Sequence, residues 1–145
     1  MWQKTAVAGL VLAIVASLAP VRAEDAIAAR QAVLKAIGDD IRPVAAMLRH
    51  EAPFDLAAVR AALRTTAEGA AMLPAHFPDN SRTGRTEASP RIWAEKERFL
   101  ALYATLAADA RAAEAAITDE ASFAARFPKI LADCKACHDD FRLKK

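Results

Sequence analysis

Apolar residues recur every three or four positions in four separate segments of this chain, the spacing that lines one face of an α-helix. The first stripe, Ile27, Leu34, Ile37, Ile41, Val44 and Leu48, predicts an amphipathic helix over about 27–48, with Pro43 as a kink or a lost backbone bond. Asp55 then reads as an N-cap, with Phe54 placed to staple against Val59. The second stripe is Leu56, Val59, Leu63, Ala70 and Leu73, closed by Pro74, and Met72 beside it reads as core filler. Residues 74–89 are polar and turn-rich, and predict a long surface crossover.

Ser89-Pro90 is an N-cap followed by proline at the first helical position, where its missing amide costs nothing. The helix it opens buries Ile92, Trp93, Phe99, Leu102, Tyr103, Leu106 and Ile117, the most aromatic segment of the chain. Thr118, Asp119 and Glu120 restart the chain by cap and macrodipole logic. In the fourth helix the stripe is Phe123, Phe127, Ile130, Cys134, Cys137 and Phe141, so both cysteines fall on the core face, with a kink expected at Pro128. Four amphipathic helices with abundant alanine and only 4 glycines predict an all-α fold, an antiparallel four-helix bundle.

The start of the chain changes the picture of its compartment. Met1 to Lys4 is a short positive start, Ala6 to Leu18 an apolar run and Val21-Arg22-Ala23 a small-residue cleavage site, which together predict a signal peptide over 1–23 and export to the periplasm. The apolar run is shorter than the ~20 residues that span a bilayer, so a retained anchor is the weaker reading. The remainder, 24–145, suits one domain. Its formal charge is zero, since the +2 of the whole chain comes from Lys4 and Arg22. Without a basic patch or stripe, no nucleic-acid partner is expected.

Chemistry concentrates in Cys134-Lys135-Ala136-Cys137-His138, the attachment pattern of a c-type haem. Each thiol adds across a porphyrin vinyl group, and the adjacent imidazole reaches the iron as proximal ligand. At about 100° per residue, positions 134, 137 and 138 share one helix face within roughly one turn. The pattern therefore predicts one covalent haem c on the C-terminal helix, with His138 on the metal. Three alternatives compete. A thioredoxin-like thiol pair needs a βαβ context that is absent here. A zinc site needs four ligands and would have to recruit His50, His76 or a carboxylate. A local disulfide in an exported protein is the blandest, and would be colourless.

Taken together, the helices and the C-terminal position of CxxCH resemble the cytochrome c prime family, the class II c-type cytochromes. Arg30-Gln31 with Leu34, Ala52-Pro53-Phe54-Asp55, Pro90-Arg91-Ile92-Trp93 and the segment from Cys134 to Arg142 carry the likeness in order. The resemblance implies that Cys134 and Cys137 form thioethers, that His138 is the proximal ligand and that Arg142 lies beside it. It also implies that Arg30 and Gln31 hydrogen-bond the propionates and that Glu87 and Ala88 touch the haem edge. Low-spin members place a methionine where this chain has Leu34, which offers no donor atom.

Five-coordinate, high-spin iron is the expected consequence, open to a small neutral diatomic such as NO or CO and able to exchange single electrons. The competing reading is a six-coordinate low-spin electron carrier, whose sixth ligand has no candidate: Met47 lies thirteen residues beyond Leu34, roughly 20 Å along the helix. Enzymatic turnover is not expected, because the surroundings of Leu34 and Ile37 are apolar. The resemblance also suggests a homodimer, while the redox partner protein stays unidentified.

Overall fold

In the computed structural model, which describes residues 22–144, the order of elements is α1 (Ala23–Leu48), α2 (Leu56–Met72), α3 (Arg91–Ala94), α4 (Lys96–Ala116) and α5 (Glu120–Phe141). Two 3-10 turns, Leu73–His76 and Asp79–Ser81, fall within the crossover between α2 and α3. The expected signal peptide lies outside the described residues, except for Arg22 and Ala23. No described helix is long and apolar enough to cross a membrane.

Local chemistry starts α2 and α5 where the sequence placed them, while α1 begins at Ala23, four residues before the expected Ile27. The Asp55 carboxylate accepts from the amides of Ala57 and Ala58 at 2.9 and 3.1 Å, satisfying donors that α2 cannot. Asp119 and Ser122 form a reciprocal capping box at the start of α5. The Ser89 hydroxyl accepts from the amide of Arg91 at 3.2 Å. Both internal prolines, Pro43 and Pro128, are carried inside helices that continue on either side of them.

The four long helices form the bundle. α1 packs on α2, α2 on α4 and α4 on α5, whereas α1 and α5 scarcely touch. The core between them is filled by Val59, Leu63, Phe99, Phe123, Phe127 and Ile130, all essentially without solvent exposure. Burying each such side chain stabilises the fold by about 1.5–3 kcal/mol. Gly69 permits the close approach of α2 to α1, since a Cβ there would stand 2.7 Å from Ile37 Cδ1.

Several expectations need correcting. The third predicted helix is two: the chain leaves helical geometry at Glu95, with φ −118° and ψ 43°, before α4 begins. The crossover is responsible, because Pro78 accepts from Trp93 Nε1 and Phe77 from Lys96 Nζ through their carbonyls, at 3.3 and 2.8 Å. Nor is the crossover merely a surface loop, since Leu73, Phe77 and Ser81 are buried. Phe77 joins Phe99, Tyr103 and Trp93 in a cluster of tilted and edge-on rings. Met72, read as core filler, is 54% exposed. Leu34 also belongs to the predicted stripe yet is 38% exposed.

Candidate haem site

The last turns of α5 present the motif. Cys134 and Cys137 are half-buried against the hydrophobic core, as the stripe predicted, and no disulfide joins them. Burial pushes both thiols up, Cys137 to about 11 with the neighbouring Cys134 adding to the effect, so both are protonated at neutral pH. The Tyr103 hydroxyl is raised by its own burial and then by Cys137, which places an uncharged phenol beside the pair. Burial, followed by the nearby Arg142 cation, lowers His138 below the ordinary imidazole value. It is therefore neutral at pH 7, the form that donates to a metal.

A short tether fixes the residues past His138. The Ser89 amide donates to the Phe141 carbonyl at 2.9 Å and the Leu143 amide to the Glu87 carbonyl at 2.7 Å. Between these bonds Ala88 and Arg142 form an isolated antiparallel bridge. The Arg142 guanidinium grips the Glu87 carboxylate through Nε at 2.7 Å and through its terminal nitrogen at 2.6 Å. His138, Asp139, Arg142, Leu143 and Lys144 line an open cavity of about 370 Å³. The structure thus brings His138, Arg142, Glu87 and Ala88 together, although 87 and 142 are far apart in the chain.

Arg30 and Gln31 are engaged with the crossover. Only 2% of Arg30 is exposed, and its four terminal N–H groups donate to the His76 carbonyl, the Ser81 hydroxyl and carbonyl, and the Thr86 hydroxyl at 2.8–3.2 Å. Its guanidinium lies over the Phe77 ring, 4.7 Å from the centroid. Gln31 Nε2 donates to the Arg85 carbonyl at 2.8 Å. Both side chains hold the crossover onto α1. Sequence reasoning missed this buried lock; its only sequence sign is that Arg30 stands three residues after Ile27, inside the apolar stripe.

A second overlooked group surrounds Asp140. Arg91 from α3 and Arg98 from α4 both bond its carboxylate, and both lie over the Phe141 ring. This anchors the end of α5 to the start of α4. Neither histidine considered for zinc completes a tetrad. His50 sits exposed in the α1–α2 turn with a left-handed φ of 58°, and His76 lies in the 3-10 turn. Among the described residues no group of three or more His, Cys, Asp or Glu side chains converges to hold a metal ion.

Does a porphyrin fit these residues? The bundle is left open along its α1–α5 side, the half-buried thiols belong to α5, and an apolar side chain, Leu34, stands exposed on α1. An apolar planar group attached at Cys134 and Cys137 would supply the packing that α1 and α5 fail to give each other, with a neutral imidazole adjacent. The donor set suits the group.

Comparison with known proteins agrees. Residues 25–142 match the family described as Cytochrome C'. A cytochrome c' of Rhodopseudomonas palustris is 48% identical over 140 residues, spanning 96% of this chain and 94% of that protein. A cytochrome c-556 of Agrobacterium fabrum is 41% identical over 117 residues, or 80% of each chain. The solved structure of a cytochrome c' from Rhodopseudomonas palustris superposes with a TM-score of 0.81 at 50% identity, covering 83% of this chain and 98% of that one. With its bundle, its C-terminal CxxCH helix and a match over nearly all the described residues, this chain belongs to the cytochrome c prime family.

Proposed function

We propose that this chain, which as a family member carries one covalent haem c, is a five-coordinate, high-spin cytochrome of the periplasm that binds small neutral diatomics and exchanges single electrons. When bound, the haem would supply a redox-active iron. Cys134 and Cys137 would hold it through thioethers, and His138 would donate its neutral imidazole to the iron. Arg142, gripped by Glu87, sets a fixed cation beside that imidazole and disfavours its protonation.

Leu34 carries the reading: it is an exposed apolar side chain on α1, a helix that scarcely touches α5, and it has no donor atom. An apolar lid of this kind excludes anions and water, which would find no hydrogen-bond partner, and gives way to NO or CO. It also lacks the polar groups that O–O cleavage requires, which favours binding over enzymatic turnover. For the propionates, Gln31 and the remaining Nε–H of Arg30 are the available donors on α1, with Ala88 at the haem edge. The cytochrome c-556 relative favours a second reading, a six-coordinate low-spin carrier. That reading needs a sixth ligand, and Met72 is exposed at the end of α2 rather than on α1 or α5.

Absorption spectra of the periplasmically matured protein, ferric and dithionite-reduced, with and without NO, separate the two. A broad high-spin reduced Soret band that shifts with NO is expected. Sharp low-spin bands unchanged by NO would establish the six-coordinate carrier instead, and absence of any Soret band would remove the haem reading.

A further inference from the structure

At the opposite end of the bundle from His138, α2 and α4 enclose a cleft of about 360 Å³ lined by Arg60, Arg64, Arg111, Glu114 and Ala115. Three guanidinium groups share it with a single carboxylate. Glu114 is already taken, since its Oε1 accepts from Arg64 through Nε at 3.1 Å and a terminal nitrogen at 2.7 Å. Arg60 spends one terminal nitrogen on the Ile117 carbonyl at 3.2 Å, but its Nε is buried with no hydrogen-bond partner. Arg111 makes no hydrogen bond or ion pair among the described residues.

This arrangement is not what helix stability selects. Arg60 and Arg64 are like charges one turn apart, a pairing that costs an exposed helix a few tenths of a kcal/mol. A buried unpartnered donor adds a further cost. One dianionic group in the cleft would relieve the repulsion between the arginines, because guanidinium forks match the oxygens of phosphate in parallel pairs.

We propose that the Arg60–Arg64–Arg111 cleft is a binding site for a phosphate-class oxyanion, with the uncommitted terminal N–H groups of Arg60 and Arg111 as its principal donors and Arg64 held in place by Glu114. Along α4 the cleft lies some thirteen residues from Arg98, the residue that anchors the CxxCH end, which is roughly 20 Å. Occupancy is thus readable without disturbing the haem. The anion has two sources that share this chemistry, free inorganic phosphate and the headgroup of an anionic phospholipid.

The test is an NMR titration of the isotopically labelled holoprotein with inorganic phosphate, at ionic strength held constant with sodium chloride. Saturable shifts confined to residues 57–64 and 108–118 are expected, weakened at least tenfold in Arg60→Gln/Arg111→Gln while the Soret band stays unchanged. Arg111→Gln alone, which removes no internal contact, reports the same loss should the double variant misfold. Cosedimentation with phosphatidylglycerol vesicles in a phosphatidylcholine background distinguishes the sources. Binding lost in the variant identifies the headgroup, and saturation by phosphate without vesicle binding identifies the free anion. Shifts that merely follow ionic strength, or phosphate affinity equal in the variant, would overturn the proposal.

Discussion

Replacing Arg30 by methionine should loosen the whole crossover while leaving α1 helical. Methionine keeps the aliphatic length but removes four hydrogen bonds that join α1 to residues 76, 81 and 86. Of the acceptors left behind, the His76 carbonyl and Thr86 hydroxyl are near enough to the surface to find water. The Ser81 carbonyl and hydroxyl belong to a residue with no solvent exposure, and the hydroxyl retains only its own donation to Pro78. Two buried acceptors at about 1–3 kcal/mol each suggest a gross loss of about 2–6 kcal/mol. Burial already disfavours the guanidinium charge, and ending that penalty offsets part of the loss. A net destabilisation of about 2–4 kcal/mol follows. Denaturant unfolding of the holoprotein gives the magnitude, and amide hydrogen exchange over 79–89 gives the location, with Gln31→Ala as a control expected to lose no more than ~0.5 kcal/mol because its single bond is exposed. A loss under ~1 kcal/mol with unaltered exchange would refute the reasoning and show that the crossover holds itself in place.

Leu34→Met should convert the reduced protein toward low-spin, six-coordinate spectra and suppress its response to NO; unchanged high-spin bands would mean that position 34 does not face the iron. Glu87→Gln should raise the midpoint potential and Arg142→Gln lower it, because the two remove opposite charges beside His138, and spectroelectrochemical shifts of the same sign would contradict that. Lys129 ties Asp109 of α4 to Asp133 of α5 at 2.7 and 2.8 Å, and its hydrogen bond holds the Asp109 carboxyl below the usual range. A depressed folded value stabilises the protein above the unfolded pKa and is lost as pH falls through the folded one, so Asp109→Asn should flatten the acid limb below about pH 4. The effect at pH 7 should stay under ~1 kcal/mol for a partly exposed carboxylate whose partner, Lys129, is exposed, as urea midpoints across the pH range would show.

Much of this molecule was legible before any fold was drawn. Asp55 and Asp119 cap their helices by contacts within three residues, so the local sequence suffices to place them. The stripe through Phe123, Phe127 and Ile130 put Cys134 and Cys137 on the inner face of α5 because helix period is a property of the backbone. The adjacency of Cys137 and His138 carried the haem chemistry on its own.

Only the tertiary structure decided what depends on distant partners. Arg30 is polar by type and buried by circumstance, since its acceptors lie 46 to 56 residues away. Glu95 breaks a helix that its own neighbours would have continued, under bonds that Trp93 and Lys96 make to the crossover. Leu34 obeys the apolar period yet remains exposed, because periodicity says which face a residue occupies and not whether another helix arrives to cover it. Glu87 and Arg142 meet for the same reason, through a chain reversal whose geometry is set by packing. Local spacing determined the helices and the attachment motif, and long-range closure determined which side of the bundle stayed open.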